Sequence, residues 1–207
     1  MHIGILGTGK MGSTLGRLLA ARGHSVILGS RAPKAKQESF TDVVGIEVRE
    51  QQAAVDDAEM IILATPWTVT MVTVEALEIP PEMIVLDITN PLSPDVSELV
   101  IGGRNSAAEE IARGLDSSRV VKAFNGINAA NLGNPAFAGG RAQIPFCGDD
   151  AEAKGAVRSL IEDIGFEALD CGELKNARYL EAVAMLWIQL VFVEDCGMNC
   201  AFKFACA

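Results

Sequence analysis

Two short stretches near the start of the chain carry residue types whose spacing could do chemistry. The first is Gly7-Thr8-Gly9-Lys10-Met11-Gly12, a GxGxxG pattern. The second is Ser30-Arg31, about 20 residues further on. The glycines follow the run His2-Ile3-Gly4-Ile5-Leu6 and open a stretch reaching Arg22, where Met11, Leu15, Leu18 and Leu19 recur at helical spacing. Ser25-Val26-Ile27-Leu28-Gly29 then reads as a second strand. Strand, glycine turn, helix, strand is the pattern of a dinucleotide-binding unit. Gly7 permits the tight turn, Gly9 lets the backbone approach a pyrophosphate, and Gly12 lets the helix pack closely on the sheet. The free N–H groups of the first helical turn, together with the helix dipole, then face the phosphates. A GxGxxG alone would be an ordinary turn; the flanking elements give it meaning.

The end of the second strand refines the chemistry. A site selective for NAD places Asp or Glu there, on the ribose 2′-OH. This chain has Ser30 and Arg31, with Lys34 and Lys36 close behind. No carboxylate repels a 2′-phosphate, Ser30 can donate a hydrogen bond, and the Arg31 guanidinium can pair with the phosphate or stack on the adenine. The expected cofactor is NADP(H).

Composition agrees with a globular protein that binds small molecules. The 207 residues suffice for one substantial core, and 49% are hydrophobic against 21% charged. A net charge of −10 argues against nucleic acid or an anionic membrane as the main partner. Met1-His2-Ile3 runs straight into a strand without a signal-peptide pattern, so a cytoplasmic location is expected. The apolar run Ala182–Val193 is too short to span a bilayer and reads as a buried helix or a subunit contact. Five cysteines, Cys147, Cys171, Cys196, Cys200 and Cys206, suggest free thiols. Beyond about Val193 the tail reads as irregular or helical; on a helix Cys196 and Cys200 would face together, but they lack the four ligands of a tetrahedral metal site.

The elements that must position these residues follow in alternation. Short strands are expected at 46–48, 60–65, 83–89, 119–124, 143–147 and 166–171. Helices are expected at 51–58, 67–77, 104–115, 150–165 and from Leu174 to about Val193. The continuous apolar run Met60–Ala64 is typical of a parallel strand buried on both faces. This alternation predicts an α/β fold: a single-domain, Rossmann-type, doubly wound and mainly parallel sheet over residues 1–207, with a C-terminal helix. Ligands of such sheets bind outside the carboxyl ends of the strands. Small or polar residues recur there: the glycine turn, Ser30-Arg31, Ala64-Thr65-Pro66-Trp67, Asn90-Pro91 and Asn125. The Thr65-Pro66 turn is expected near the pyrophosphate or ribose. Asn90 and Asn125 suit the nicotinamide half or a substrate, although each could equally be a turn residue.

Together Gly7–Gly12, Gly23-His24-Ser25-Val26, Gly29-Ser30-Arg31, Ala64-Thr65-Pro66-Trp67, Asp87-Ile88-Thr89-Asn90-Pro91, Val121-Lys122-Ala123-Phe124-Asn125 and Asn176-Ala177-Arg178-Tyr179-Leu180-Glu181 resemble the F420-dependent NADP oxidoreductase family. The cytosolic reductase domain of the STEAP metalloreductases is similar. The resemblance implies a cytoplasmic protein, often a homodimer, that passes a hydride between NADP(H) and the deazaflavin F420. Gly7, Thr8, Gly9, Lys10, Met11, Gly12, Ser30 and Arg31 would hold the adenine and phosphate end. Ala64, Thr65, Pro66, Asn90 and Pro91 would line the path to the nicotinamide. The cysteine-rich tail departs from the family pattern and puts the second ligand in question, F420 or a flavin.

Hydride transfer between two flat rings needs stacking at about 3–3.5 Å and exclusion of water. The cofactors carry the reactivity, so no catalytic side chain is required. A small imine or carbonyl substrate would instead want a proton donor. Lys122, inside a strand, and Tyr179, on the last helix, read as packing or surface residues; His2 and His24 lie away from the ligand edge. A third reading is a non-catalytic NADP(H)-binding regulatory domain. The NADP(H) assignment predicts that Arg31→Ala weakens NADPH binding, by about tenfold or more, far more than it weakens NADH binding. Fluorescence titration with both nucleotides checks this, and equal losses would refute it.

Overall fold

In the computed structural model, residues 1–117, 119–137 and 139–205 are described. The first alternation gives β1 (His2–Leu6), α1 (Lys10–Ala21), β2 (Ser25–Gly29), α2 (Pro33–Gln37), β3 (Ile46–Arg49) and α3 (Gln51–Asp56). Next come β4 (Met60–Leu63), α4 (Trp67–Glu75), β5 (Ile84–Asp87), α5 (Ala107–Leu115) and β6 (Val120–Ala123). The last part holds β7 (Ala136–Phe137), β8 (Gly140–Arg141), β9 (Gln143–Gly148), α6 (Ala151–Asp163), β10 (Glu167–Asp170) and α7 (Ala177–Phe192). Each strand of the main sheet falls inside its expected run or within one residue of it. Residues 92–103 contain neither helix nor strand, as their composition suggests.

Eight strands form one sheet in the order β10-β9-β6-β5-β4-β1-β2-β3. The six from β3 to β6 are parallel, while β9 is antiparallel to β6 and carries β10 parallel to itself. This is the doubly wound, mainly parallel Rossmann-type arrangement. Strand alternation divides the apolar residues between two faces. Ile3, Ile5, Met60 and Ile62 pack with Leu15 and Leu19 of α1 and with Val157 and Leu160 of α6. Leu6, Ile61, Leu63 and Val85 pack with Val55 of α3, Val74 of α4, Ile111 of α5 and Leu180 of α7. Burial on both faces is why β4 and β5 read as unbroken apolar runs. Because β1 pairs with β2 on one side and β4 on the other, the strand order reverses between β1 and β4. A crevice therefore opens at their carboxyl ends.

Of the two forms expected for the tail, irregular or helical, it takes the irregular one. Asp195 and Gly197 have φ of 52° and 81°, in the left-handed region. These residues stop α7, and Cys196 and Cys200 lie on irregular chain rather than one helix face. Cys206 lies outside the described residues. The segment instead turns back and is tied down: Trp187 Nε1 donates to the Cys200 carbonyl at 3.1 Å, Asn131 Nδ2 to that of Met198 at 2.9 Å, and the Phe204 N–H to Gln143 Oε1 at 2.8 Å. Among the described residues, no helix is long and apolar enough to cross a membrane.

Candidate functional site

The crevice between β1 and β4 opens into a cleft of about 310 Å³. Gly7, Thr8, Gly9, Ser30, Arg31, Ala64, Thr65 and Pro66 all line it, so three separate sequence stretches meet there. Gly7 has φ of 127°, and a Cβ at that position would lie 2.5 Å from the Ala64 carbonyl oxygen. At Gly12 a Cβ would lie 2.2 Å from the Gly7 carbonyl oxygen, so this glycine sets how closely α1 approaches the turn. At Gly9 a Cβ would meet nothing within 4 Å and would stand in open space. Lys10 is exposed and Met11 packs against the core, so neither lines the cleft.

The N-terminus of α1 has no side-chain cap and no acid in its first turn. Ser106 caps α5 and Asp150 caps α6, whereas α2, α3, α4 and α7 are uncapped like α1; what sets α1 apart is that Gly7, Thr8 and Gly9 at its start line the cleft. The first-turn amides of α1 are thus left for an anion. Ser13 Oγ donates to the Thr8 carbonyl at 3.1 Å and closes the turn beneath them. At the end of β2, Ser30 is buried and its Oγ accepts from the Ala32 N–H at 3.1 Å, which leaves its own proton free to donate. Arg31 and Lys36 are the charged residues of the lining, and among the described residues no carboxylate shares it. The Thr65-Pro66 turn is fixed by Thr70, whose Oγ1 lies 2.9 Å from Thr65 Oγ1 and donates to the Pro66 carbonyl at 3.0 Å.

Asn90, Pro91 and Asn125 sit apart from that lining, at the carboxyl ends of β5 and β6. Asn125 Nδ2 donates to Asn90 Oδ1 at 2.7 Å and to the Thr89 carbonyl at 3.0 Å, and Asn90 Nδ2 donates to the Asn125 carbonyl at 3.4 Å. The preceding residue, Phe124, has φ of 62° and is buried. A left-handed phenylalanine costs about 1–3 kcal/mol and persists only where its surroundings enforce it. That turn folds Asn125 back beneath Thr89. Asn125 Oδ1 is buried without a hydrogen-bond partner.

Beneath the asparagines lies a cluster of charge. Lys122 and Asp87 are 0% exposed and Glu181 is 1% exposed. Lys122 Nζ stands 2.7 Å from Asp87 Oδ2, 2.8 Å from Glu181 Oε1 and 2.6 Å from the Thr89 carbonyl oxygen. Asp87 Oδ1 accepts the Thr89 N–H at 2.8 Å. Glu181 also accepts the N–H groups of Ala107 and Ala108 at 3.1 and 3.4 Å, so α7 caps α5 from outside. Burial opposes the Lys122 charge, but Asp87 and Glu181 outweigh it and hold its pKa above the ordinary value. Burial pushes the Glu181 carboxyl up, with Lys122 pulling partly against it. Burial also pushes the Cys147 thiol up to about 12, which leaves it protonated at neutral pH.

From sequence alone, Lys122 reads as a packing or surface residue. In the fold it is fully buried and ion-paired, because β6 is covered on both faces. Sequence reasoning also misses Asp87 and Glu181 as part of the site. The available signal is a charged residue within each of two apolar strands, Ile84–Asp87 and Val120–Ala123. The late Asn176–Glu181 motif acquires a physical meaning. Asn176 Nδ2 donates to the Cys171 carbonyl, Arg178 Nε to Glu109 Oε2 at 2.8 Å, and Glu181 reaches Lys122, so the motif docks α7.

Residues 2–91 match the family described as NADP oxidoreductase, coenzyme F420-dependent. The F420-dependent NADP reductase of Methanocaldococcus jannaschii is 32% identical over 98% of this chain and 94% of its own length. The chain belongs to that family. Solved structures resemble this NADP oxidoreductase as well: a crystal structure of a candidate F420-dependent NADP-reductase from Arthrobacter sp. FB24 superposes with a TM-score of 0.89 at 29% identity, covering 99% of both chains. Rat metalloreductase STEAP3 is 33% identical over 88% of this chain, which spans only 36% of that longer protein.

Two outcomes follow from this geometry. Gly9→Ala keeps the fold, since its added methyl meets no protein atom, and weakens NADPH binding by about tenfold or more; Gly12→Ala also lowers the urea midpoint, because its methyl strikes backbone. Lys122→Met leaves two buried carboxylates uncompensated and costs about 3–5 kcal/mol at pH 8. A carboxyl whose folded pKa is raised gains stability as pH falls through that value. The urea midpoint of Lys122→Met therefore recovers relative to wild type as pH is lowered from 8 through the raised Glu181 value. Lys122 itself has a raised pKa, so its contribution is complete below 10.5 and is lost as pH rises through the folded value.

Proposed function

We propose that the protein transfers a hydride between NADP(H) and a deazaflavin of the F420 type. The observation that carries the cofactor is the end of β2: Ser30 with a free hydroxyl proton, Arg31 and Lys36 beside it, and no carboxylate among the described residues of the cleft. This is the chemistry of a 2′-phosphate site. The uncapped α1 amides and the space over Gly9 suit the pyrophosphate. Lys10, Met11 and Gly12 would serve through the backbone of that first turn, not through side chains. The dinucleotide would then run past Ala64, Thr65 and Pro66 toward Asn90, Pro91 and Asn125, with residues 1–207 acting as one NADP-binding unit.

NADP(H) supplies the transferable hydride; the protein binds, orients and shields the rings. The acceptor would stand over the edge that follows Asn90-Pro91. There a groove of about 690 Å³ runs between Asp95, Val96 and Ser97 and the end of α7 at Ile188, Gln189, Phe192 and Val193. Its size is within the range of about 300–1,000 Å³ usual for small-molecule sites, and Phe192 offers an exposed aromatic face. Val96, with φ of 63°, marks that loop as conformationally constrained. The M. jannaschii relative, matched nearly end to end, supports F420 over a free flavin.

We further propose a homodimer. Tyr179, Val183 and Leu186 form an exposed apolar stripe on α7, with Tyr179 67% exposed. The cytoplasm is the fitting location, where an NADP(H) pool and reduced thiols occur together.

The decisive assay follows NADPH oxidation at 340 nm with F420, FMN, FAD, a cyclic imine or a ferric chelate as acceptor. Turnover is expected with F420, and Phe192→Ala is expected to raise the KM for F420 about tenfold without changing NADPH affinity. Turnover only with the imine would favor a small imine reductase. Binding without turnover on any acceptor would favor a regulatory NADP(H)-binding protein.

A further inference from the structure

We propose that Lys122 is a positioning residue for the nicotinamide end of the cofactor, acting through the Thr89 carbonyl on the Asn125–Asn90 pair. The proposal rests on the reading that NADP(H) binds with its ring end at those asparagines. Lys122 touches no ligand surface, since it is 0% exposed. Its reach is indirect. The Thr89 carbonyl oxygen receives Lys122 Nζ at 2.6 Å and Asn125 Nδ2 at 3.0 Å, so one acceptor links the buried cation to the ligand edge. Asn125 in turn holds Asn90 at 2.7 Å. The Thr89 N–H is pinned from the other side by Asp87, and Asp87 is itself bound to Lys122. Thr89 is therefore clamped through both of its backbone polar groups by the same ion pair.

Three further observations favor a positioning role over simple packing. A buried ion pair is weak evidence for stability, because desolvation offsets most of the Coulomb gain and apolar residues of equal volume would hold the core as well. The left-handed Phe124 is a strained residue at the point where Asn125 is aimed. Asn125 Oδ1 is left without a donor, although its residue is only 8% exposed and its amide group is otherwise fully engaged. An oriented amide with one spare acceptor suits an N–H donor such as a carboxamide. Glu181 contributes differently. It balances the ammonium and draws α7 and the N-terminus of α5 onto the cluster.

The test separates the two ends of the cofactor. Affinities for NADPH and for 2′-phospho-ADP-ribose, which lacks the nicotinamide ring, are measured by calorimetry on the full chain. No hydride acceptor is needed, so failure of the F420 assignment does not affect the result. In wild type, NADPH is expected to bind more tightly than the fragment. The uncharged, similarly shaped variant Asp87→Asn/Lys122→Met/Glu181→Gln keeps fragment affinity within about twofold but loses about fivefold to tenfold of the NADPH advantage, the worth of a well-placed hydrogen bond. Asn125→Ala reproduces that ring-specific loss, and Glu181→Gln alone, which keeps Lys122 on Asp87 and Thr89, does not. The triple variant carries the test even where Lys122→Met alone fails to fold. A triple variant that retains the full NADPH advantage overturns the proposal, as does an Asn125→Ala protein that retains it. Equal loss of fragment and NADPH affinity would show a merely structural role and also overturn it. A wild-type chain that binds neither ligand overturns the cofactor reading and this proposal with it.

Discussion

The contact on which the rest depends is the buried cluster of Lys122, Asp87 and Glu181. Two carboxylates and one ammonium lie in the middle of the fold, essentially without solvent. Such a group is tolerable only when every charge has partners close at hand. The partners here come from everywhere the site must be held. Asp87 belongs to β5, Lys122 to β6 and Glu181 to α7, and the helical amides of Ala107 and Ala108 add donors from α5. The cluster fixes how the last helix meets the sheet, and it reaches the carboxyl edge through Thr89. Loss of the ammonium would leave two buried carboxylates unpaired, so the arrangement has little freedom to drift.

The ligand edge divides into two halves built by different physics. At the β1–β2–β4 end, the backbone dominates: an uncapped helix terminus, a turn made possible by absent side chains, and basic residues at the rim. Such a surface binds phosphate by dipoles and charge and needs little tertiary support beyond the crevice itself. At the β5–β6 end, side chains dominate. Asn90 and Asn125 owe their orientation to one another, to a strained turn at Phe124 and to the cluster below. Under the proposed hydride transfer, orientation would matter more there, because ring-to-ring transfer is sensitive to small displacements.

The last helix joins these halves to the region where a second ligand would stand. Its first turns are locked by Asn176, Arg178 and Glu181. Further along, Trp187 is buried and holds the returning tail, while Phe192 and Val193 remain exposed beside the loop after β5. One helix thus anchors the charge cluster at one end and borders an open groove at the other.

Much of this is legible in the amino-acid sequence. Apolar runs and their alternation with helical patterns determine the succession of strands, the Rossmann class and the carboxyl-edge location of the candidate cleft, because periodicity and burial are local properties of a sequence. The glycine turn and Ser30-Arg31 are likewise readable, since backbone freedom and charge at a strand end depend on few neighbors. The path of the tail is not: the helix ends at Phe192, near where its apolar run stops, but the return of the chain onto Trp187, Asn131 and Gln143 depends on residues far away in the sequence. Nor is the partnership of residues 87, 122 and 181, which lie far apart in the chain. Each alone resembles a stray charge in an apolar segment. Only folding brings both carboxylates within 3 Å of a single ammonium, because their pairing energy exists only where water has been excluded from all three at once.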